Sequence, residues 1–302
     1  MSIVNSKQTN ENLKPPTASI ASSLIMKRRK LTNVVVLSAS CLAALGGLFV
    51  LIWILADVVM KGTGAINWSF FSQLPTPPGM TGGGLANAIV GTLLMTVTAA
   101  LIAIPFGMLA GTYLAEFGDN LLGKVARFLS DILVSAPSIV IGVFVYIVMV
   151  EPLGHFSGWA GAVSLAIIML PVVSRTTEEM LKLVAPEMRE SALALGAPYW
   201  RMSVGVIFRA AGPGIATGVM LAVARVAGET APLLFTALNS PYWMHSMNEP
   251  MANLTVVLFN YAMSPYEDWH AQAWGAALLI TLAVLTVNVL TRLILGRKGR
   301  KV

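Results

Sequence analysis

The chain has 302 residues, 56% of them hydrophobic and only 11% charged, with a mean hydropathy of +0.74 and a formal net charge of +6. Soluble domains carry about 25% charged residues, so the composition excludes a soluble globular protein and describes an integral membrane protein. The positive surplus lies at the ends of apolar runs, which argues against nucleic acid as a partner.

Residues 1–30 are polar, contain Pro15 and Pro16, and are expected to form a mostly disordered tail. Lys27 to Lys30 then abut an apolar run over 31–60, which is too long for a cleaved signal and reads as the first transmembrane helix. Cys41 lies inside it, and as the one cysteine it can form no intrachain disulfide. Residues 61–84 form a loop broken by Pro75, Pro77, Pro78 and the Gly82–Gly84 run. The core, 85–295, holds five more apolar runs: Ala86–Tyr113, Phe128–Val150, Trp159–Leu181, Gly212–Leu238 and Ala271–Leu295. Each meets the roughly 20 residues needed to cross the hydrocarbon. A basic tail, 296–302, ends the chain. The predicted fold is therefore all-α, with six transmembrane helices and both termini on one side.

Basic residues set the orientation. With the N-terminus inside, seventeen of the twenty lysines and arginines fall in the inner segments and one, Lys61, falls outside. Both termini are thus predicted to be cytoplasmic, which makes 61–84 a periplasmic loop. The outer segment Ser240–His270 has no basic residue but carries Glu249, Glu267 and Asp268. It reads either as a solvated loop or as a docking site for an external partner, and Trp243, Trp269 and Trp274 mark an interfacial belt. Pro105, Pro137, Pro171 and Pro232 fall within predicted spans, where proline kinks a helix. Gly107 with Gly111, and Gly214 with Gly218, permit close helix approach.

The inner segment Lys182–Arg209 is the longest polar interruption in the second half. Pro186 suits a first helical position, Glu187 and Glu190 favour the positive helix start, and Gly196 with Pro198 supplies a stop. A helix of about ten residues is expected, too short to span. Glu190, Ser191 and Ala192, followed after three residues by Gly196, resemble the EAA-xxx-G loop of the type I ABC importer permeases. The resemblance implies a MetI-like bundle in which this segment is a coupling helix seated on a cytoplasmic ATPase, with Pro186, Glu190, Ser191, Ala192 and Gly196 at the contact. The family's following I-x-L-P is replaced here by Val206, Ile207, Phe208 and Arg209, so its proline is absent.

Two arginines, Arg175 and Arg225, lie within apolar spans. Arginine at depth costs roughly 2.5–3.5 kcal/mol on insertion scales, so each needs a cavity or a partner. Glu178 is at i+3 from Arg175, beside Glu179, and Glu229 is at i+4 from Arg225, spacings that place the charges on one helical face. Two readings remain open on the residues: internal ion pairs that neutralise each other, or an anion path, since guanidinium forks match tetrahedral oxyanions. The stretch Ala222–Thr236, together with Asn87, Gly91, Thr92, Ala103, Ile104, Pro105 and Gly107, is similar to the A-type permease of phosphate-specific ABC importers. The likeness covers about 60–295. It implies that Arg175, Glu178 and Arg225 belong to a phosphate path, with Glu229 beside them. It also implies a bacterial inner-membrane complex with a C-type permease, two ATP-binding subunits and a periplasmic phosphate-binding protein. ATP and magnesium would sit on the ATPase and no cofactor on this chain.

Gly118–Lys124 matches seven positions of a P-loop, but Val125 stands where serine or threonine is required and no strand precedes it, so it reads as a short turn. The chain is not expected to be an enzyme: His155, His245 and His270 show no metal-ligand spacing and no nucleophile–base pair stands out. Asn67 and Asn253 head glycosylation sequons, a pattern common by chance. Two other readings are weighed against phosphate import: a permease for another oxyanion such as sulfate, and an ATPase-independent channel or secondary transporter.

Overall fold

The computed structural model describes residues 20–298, and no strand occurs among them. The first compact unit, up to Ala56, is described by the helix α1 (Ile20–Gly62). This helix starts well before the expected residue 31, because no proline or glycine interrupts the chain after Pro16, so the basic cluster at 27–30 lies within it. The rest of the predicted tail, 1–19, lies outside the described residues. From Ile25 to Ala56 every side chain is exposed. A helix that is apolar on all sides and exposed on all sides is one that lipid covers.

The second unit begins at Asp57. Gly62 lies against the last helix, where a Cβ would fall 2.7 Å from the Leu278 Cβ. The loop over 61–84 is not wholly irregular, as α2 (Trp68–Ser72) interrupts it before Gly79, Gly82 and Gly83 turn the chain with positive φ. The core comprises α3 (Ala86–Phe117), α4 (Leu121–Ser135), α5 (Ser138–Leu153), α6 (Gly158–Lys182), α7 (Pro186–Ala194), α8 (Tyr199–Val226), α9 (Ala231–Thr236), α10 (Leu254–Ala262) and α11 (Glu267–Lys298). Residues 299–302 of the expected basic tail lie outside the described residues.

The centre of this unit is α6. Its most apolar stretch is 67% buried, against 28% or less in the other long helices. Both glycine pairs press onto it. A Cβ at Gly107 would meet Val173 at 2.8 Å, and one at Gly111 would strike the Ser174 carbonyl. From the other side, Gly214 faces Met180 and Gly218 faces Thr176. Lipid tails are as apolar as leucine, so helices in a bilayer associate through such close van der Waals contact.

Three predicted spans are corrected. The run Phe128–Val150 is no single helix: α4 and α5 meet at an angle of 104° across Ala136 and Pro137. Pro137 disfavours helix in the residue before it and starts the next helix. The run Gly212–Leu238 is displaced. Its helix already begins at Tyr199, passes a π-helical turn at Ser203–Ile207, and stops at Val226, before Gly228 and Pro232. Pro213 is therefore helical, while Pro232 opens α9. The last span starts at Glu267, and Ser240–His270 is not a plain loop, because α10 folds within it and residues 251–257 are all buried. Among the described residues, five helices are long and apolar enough to cross a membrane, and six spans result if the bent pair counts as one.

Candidate functional site

The charged residues gather where α4 runs along α6. Four successive positions on one stripe of α6, namely Ile168, Val172, Arg175 and Glu179, repeat at helical spacing and face α4 and α5. Arg175 does not pair with Glu178 as the i+3 spacing suggested. Its Nε donates to Glu179 at 3.1 Å, one turn on, and its Nη1 donates to Asp131 of α4. The carboxylate at i+4 lies directly above the arginine on this helix, and Asp131 supplies a tertiary partner that no local spacing discloses.

Glu178 points to the other side of the stripe and is 8% exposed. It accepts from Arg127 Nε at 2.8 Å and from Lys182 at 2.7 Å. Arg127 does more than neutralise it. Its Nη2 donates to the Leu114 carbonyl at 2.8 Å and its Nη1 to the Gly118 carbonyl at 2.9 Å, at the end of α3. The last carbonyls of a helix have no partner of their own, and a cation there is favoured by the helix dipole. These groups line a cavity of about 270 Å³ bounded by Arg127, Ser130, Asp131, Ser174, Arg175 and Lys182. The Ser174 hydroxyl is buried there without a hydrogen-bond partner.

Arg225 and Glu229 occupy a second cavity, of about 240 Å³, with Pro137, Ser138, Ile168 and Val172 on its walls. Arg225 is exposed and stands in the last turn of α8. Glu229 lies beyond the helix, so no i+4 ion pair forms between them. The backbone there is bound instead by Thr255, whose hydroxyl donates to the Glu229 carbonyl at 2.7 Å. The α6 stripe connects the two cavities. Ile168 borders the second and Arg175 the first, seven residues apart, or about 10 Å of helical rise. Both sequence-predicted arginines thus lie along one face of the bundle, each in its own cavity. Asp131, Arg127 and Lys182, which sequence reasoning left out of the site, complete the first one. Arg127 and Asp131 stand about one turn apart on α4, but that helix also carries Lys124, Ser130 and Ser135, so no local signal singles the two out.

The short helix expected after α6 is α7, nine residues from Pro186 to Ala194. Pro186 occupies its first turn, and Glu190 and Ser191 are exposed. Ala192 is buried against Leu181, Met202 and Ile207, which requires a small side chain. Gly196 has φ +79° with open space around it, so it is needed for its backbone and not for room. Its N–H bonds the Leu193 carbonyl and that of Ala197 bonds Ala192, closing the helix end. In this motif, alanine and glycine shape the peg while glutamate and serine present a polar surface.

Other signatures have structural duties. Asn87 donates to the Ser240 carbonyl at 2.8 Å, Gly91 lets Ala252 approach, and Thr92 accepts from the Leu254 N–H at 2.8 Å, so this stretch of α3 pins the segment 240–254. The sequon asparagines are helix caps: Asn67 accepts from the Phe70 N–H and Asn253 from the Val256 N–H, each at 2.8 Å. The P-loop look-alike is the tight corner between α3 and α4, capped by Asn120. No cluster of three or more metal-ligating side chains occurs among the described residues.

Residues 103–302 match the family described as the binding-protein-dependent transport system inner membrane component. The phosphate transport system permease protein PstA of Yersinia pestis is 49% identical over 271 residues, 89% of this chain and 92% of that protein. That of Pasteurella multocida is 50% identical over 90% of this chain and 97% of its own length. PstA 1 of Mycobacterium tuberculosis strain H37Rv is 34% identical over 94% of each. Among solved structures, the inward-facing MetNI methionine ABC transporter matches with a TM-score of 0.58 at 18% identity, over 70% of this chain and 95% of that one. An amino acid ABC transporter matches at 0.55 and 18% identity, over 70% and 92%. The fold is therefore that of an ABC importer permease, and the chain belongs to the inner-membrane components of binding-protein-dependent transport systems, in the branch of the phosphate transport permeases.

Proposed function

We propose that this chain is the translocation subunit of an ATP-driven importer and carries inorganic phosphate inward by alternating access. The observation that carries the reading is the 49–50% identity to phosphate transport permeases over about nine-tenths of the chain. The charged face of α4, α6 and α8 supports it. Arg225 and Arg175 offer guanidinium forks along one side of the bundle, suited to an oxyanion. The carboxylates of Asp131 and Glu179 hold Arg175 in place and compete with the anion, so that it binds without being trapped. Glu178 orders Arg127, and Glu229 tunes the second cavity.

The chain works within a multi-pass membrane complex. Its partners are a C-type permease, two ATP-binding subunits and an external phosphate-binding protein; ATP and magnesium reside on the ATP-binding subunits. Both termini and α7 face the cytoplasm, in accord with the basic-residue bias. The ATPase meets α7 through Pro186, Glu190, Ser191 and the turn at Gly196. The test has two arms. An ATP-binding subunit should co-purify with the intact chain, which a channel or secondary transporter would not require. Unlabelled phosphate, and not sulfate, should compete with labelled phosphate for uptake; equal competition by sulfate would replace phosphate with a broader oxyanion specificity.

A further inference from the structure

Arg189 of α7 repeats, in mirror image, what Arg127 of α4 does. Arg127 covers the open carbonyls at the end of α3 and bonds an acid on α6. Arg189 covers the end of α6, donating to the Leu181 carbonyl at 2.7 Å and the Val184 carbonyl at 2.9 Å, and bonds an acid on α3, Glu116, at 3.1 Å. The Glu116 side chain is 11% exposed and that of Arg189 22%, so water screens this pair far less than a surface one. The two long helices that pack most closely are thus cross-tied at their C-terminal ends, and one of the ties comes from the short helix itself.

A nine-residue helix has little stability of its own. It is joined to α6 by residues 183–185 and to α8 by a turn at Gly196, where an added Cβ would meet nothing within 4 Å. Were α7 attached through these joints alone, a push on it would be absorbed by bending them. Ala192 is its one buried residue. Leu193 packs half-buried beside it, and the attachment that reaches both α3 and α6 is Arg189.

We propose that the Arg189–Glu116 pair is the positioning link that makes α7 and the C-terminal ends of α3 and α6 one rigid body, so that force applied to α7 moves the helix carrying Arg175. This rests on the reading of α7 as the ATPase contact. Through Arg127 and Glu178 the same body includes α4, whose far end walls the Arg225 cavity with Pro137. A displacement of α7 therefore reaches both arginine cavities through ionic contacts instead of through loop backbone.

The experiment uses the complete transporter in lipid vesicles. Glu116→Gln keeps the shape and leaves Arg189 its two carbonyls. Spin labels at Ala194→Cys and Leu109→Cys, in a Cys41→Ser background, report the separation of α7 from α3 with and without ATP. In the parent the distance distribution should stay narrow and unmoved; with Glu116→Gln it should broaden or shift. ATP hydrolysis should stay within about twofold, while phosphate moved per ATP falls about tenfold, a coupling loss in the range known for such networks. An unchanged distance distribution in Glu116→Gln, or parallel losses of hydrolysis and uptake, would overturn the link. If the parent transporter imports no phosphate but the spin-label result holds, the link stands and the cargo assignment fails.

Discussion

Arg127 and Glu178 meet at 2.8 Å across the α4–α6 contact, and the same guanidinium closes the end of α3. One side chain thus joins three helices. Removing it leaves a nearly buried carboxylate with only Lys182 and two carbonyls without donors. Arg127→Ala should destabilise the chain by about 2–3 kcal/mol, below the cost of stripping a fully buried pair because Lys182 remains. A thermal-unfolding scan of the purified complex checks this. A midpoint equal to that of the parent would remove Arg127 from the structural account.

Arg225 makes none of these contacts, and its loss should act differently. Arg225→Gln is expected to bring phosphate uptake to background while the complex assembles in normal yield, since the side chain is exposed at the end of α8. Arg175→Gln should likewise reduce uptake. Its ion pairs, with side chains about three-fifths exposed, contribute no more than about 1 kcal/mol to stability. Uptake at the parent level in either variant would make that arginine structural.

Helix crossings provide a third prediction. A Cβ at Gly111 would overlap the Ser174 carbonyl, whereas Gly205 has open space around it. Gly111→Leu should therefore sharply lower the yield of assembled complex. Gly205→Ala should be neutral or slightly stabilising, because alanine costs a helix less backbone entropy by about 0.5–1 kcal/mol. Equal yields from the two variants would contradict the packing of α3 on α6.

The capping asparagines allow a fourth. Asn253→Ala removes the acceptor for the Val256 N–H, and the loss of such a cap costs about 1 kcal/mol. The expected signature is earlier hydrogen exchange across α10 with little change elsewhere. Protection in α10 equal to the parent's would show that burial alone holds that helix.

How much of this was legible in the sequence depends on how local the cause is. The short helix α7 was readable because Pro186 and Gly196 act on their own backbone. The two glycine pairs were readable as close-approach sites, although the sequence does not say that both press on α6. The Arg225–Glu229 pairing failed because an apolar run was taken for one helix. Gly228, with Pro232 four residues on, marks the break, but hydropathy alone runs straight through it. Pro137 misled in the same way, as a lone proline was read as a kink where the chain turns by 104°. The partners of Arg175 and Glu178 were hidden for another reason: Asp131 and Arg127 come from a helix more than forty residues away, and only tertiary packing brings them in.

The most direct test is labelled-phosphate uptake by the complete transporter in sealed vesicles loaded with ATP or with a non-hydrolysable analogue. The account predicts uptake against a gradient with ATP, none with the analogue, and none with ATP when Arg225→Gln is present. Uptake that proceeds equally without hydrolysis, or that ignores Arg225, would contradict it.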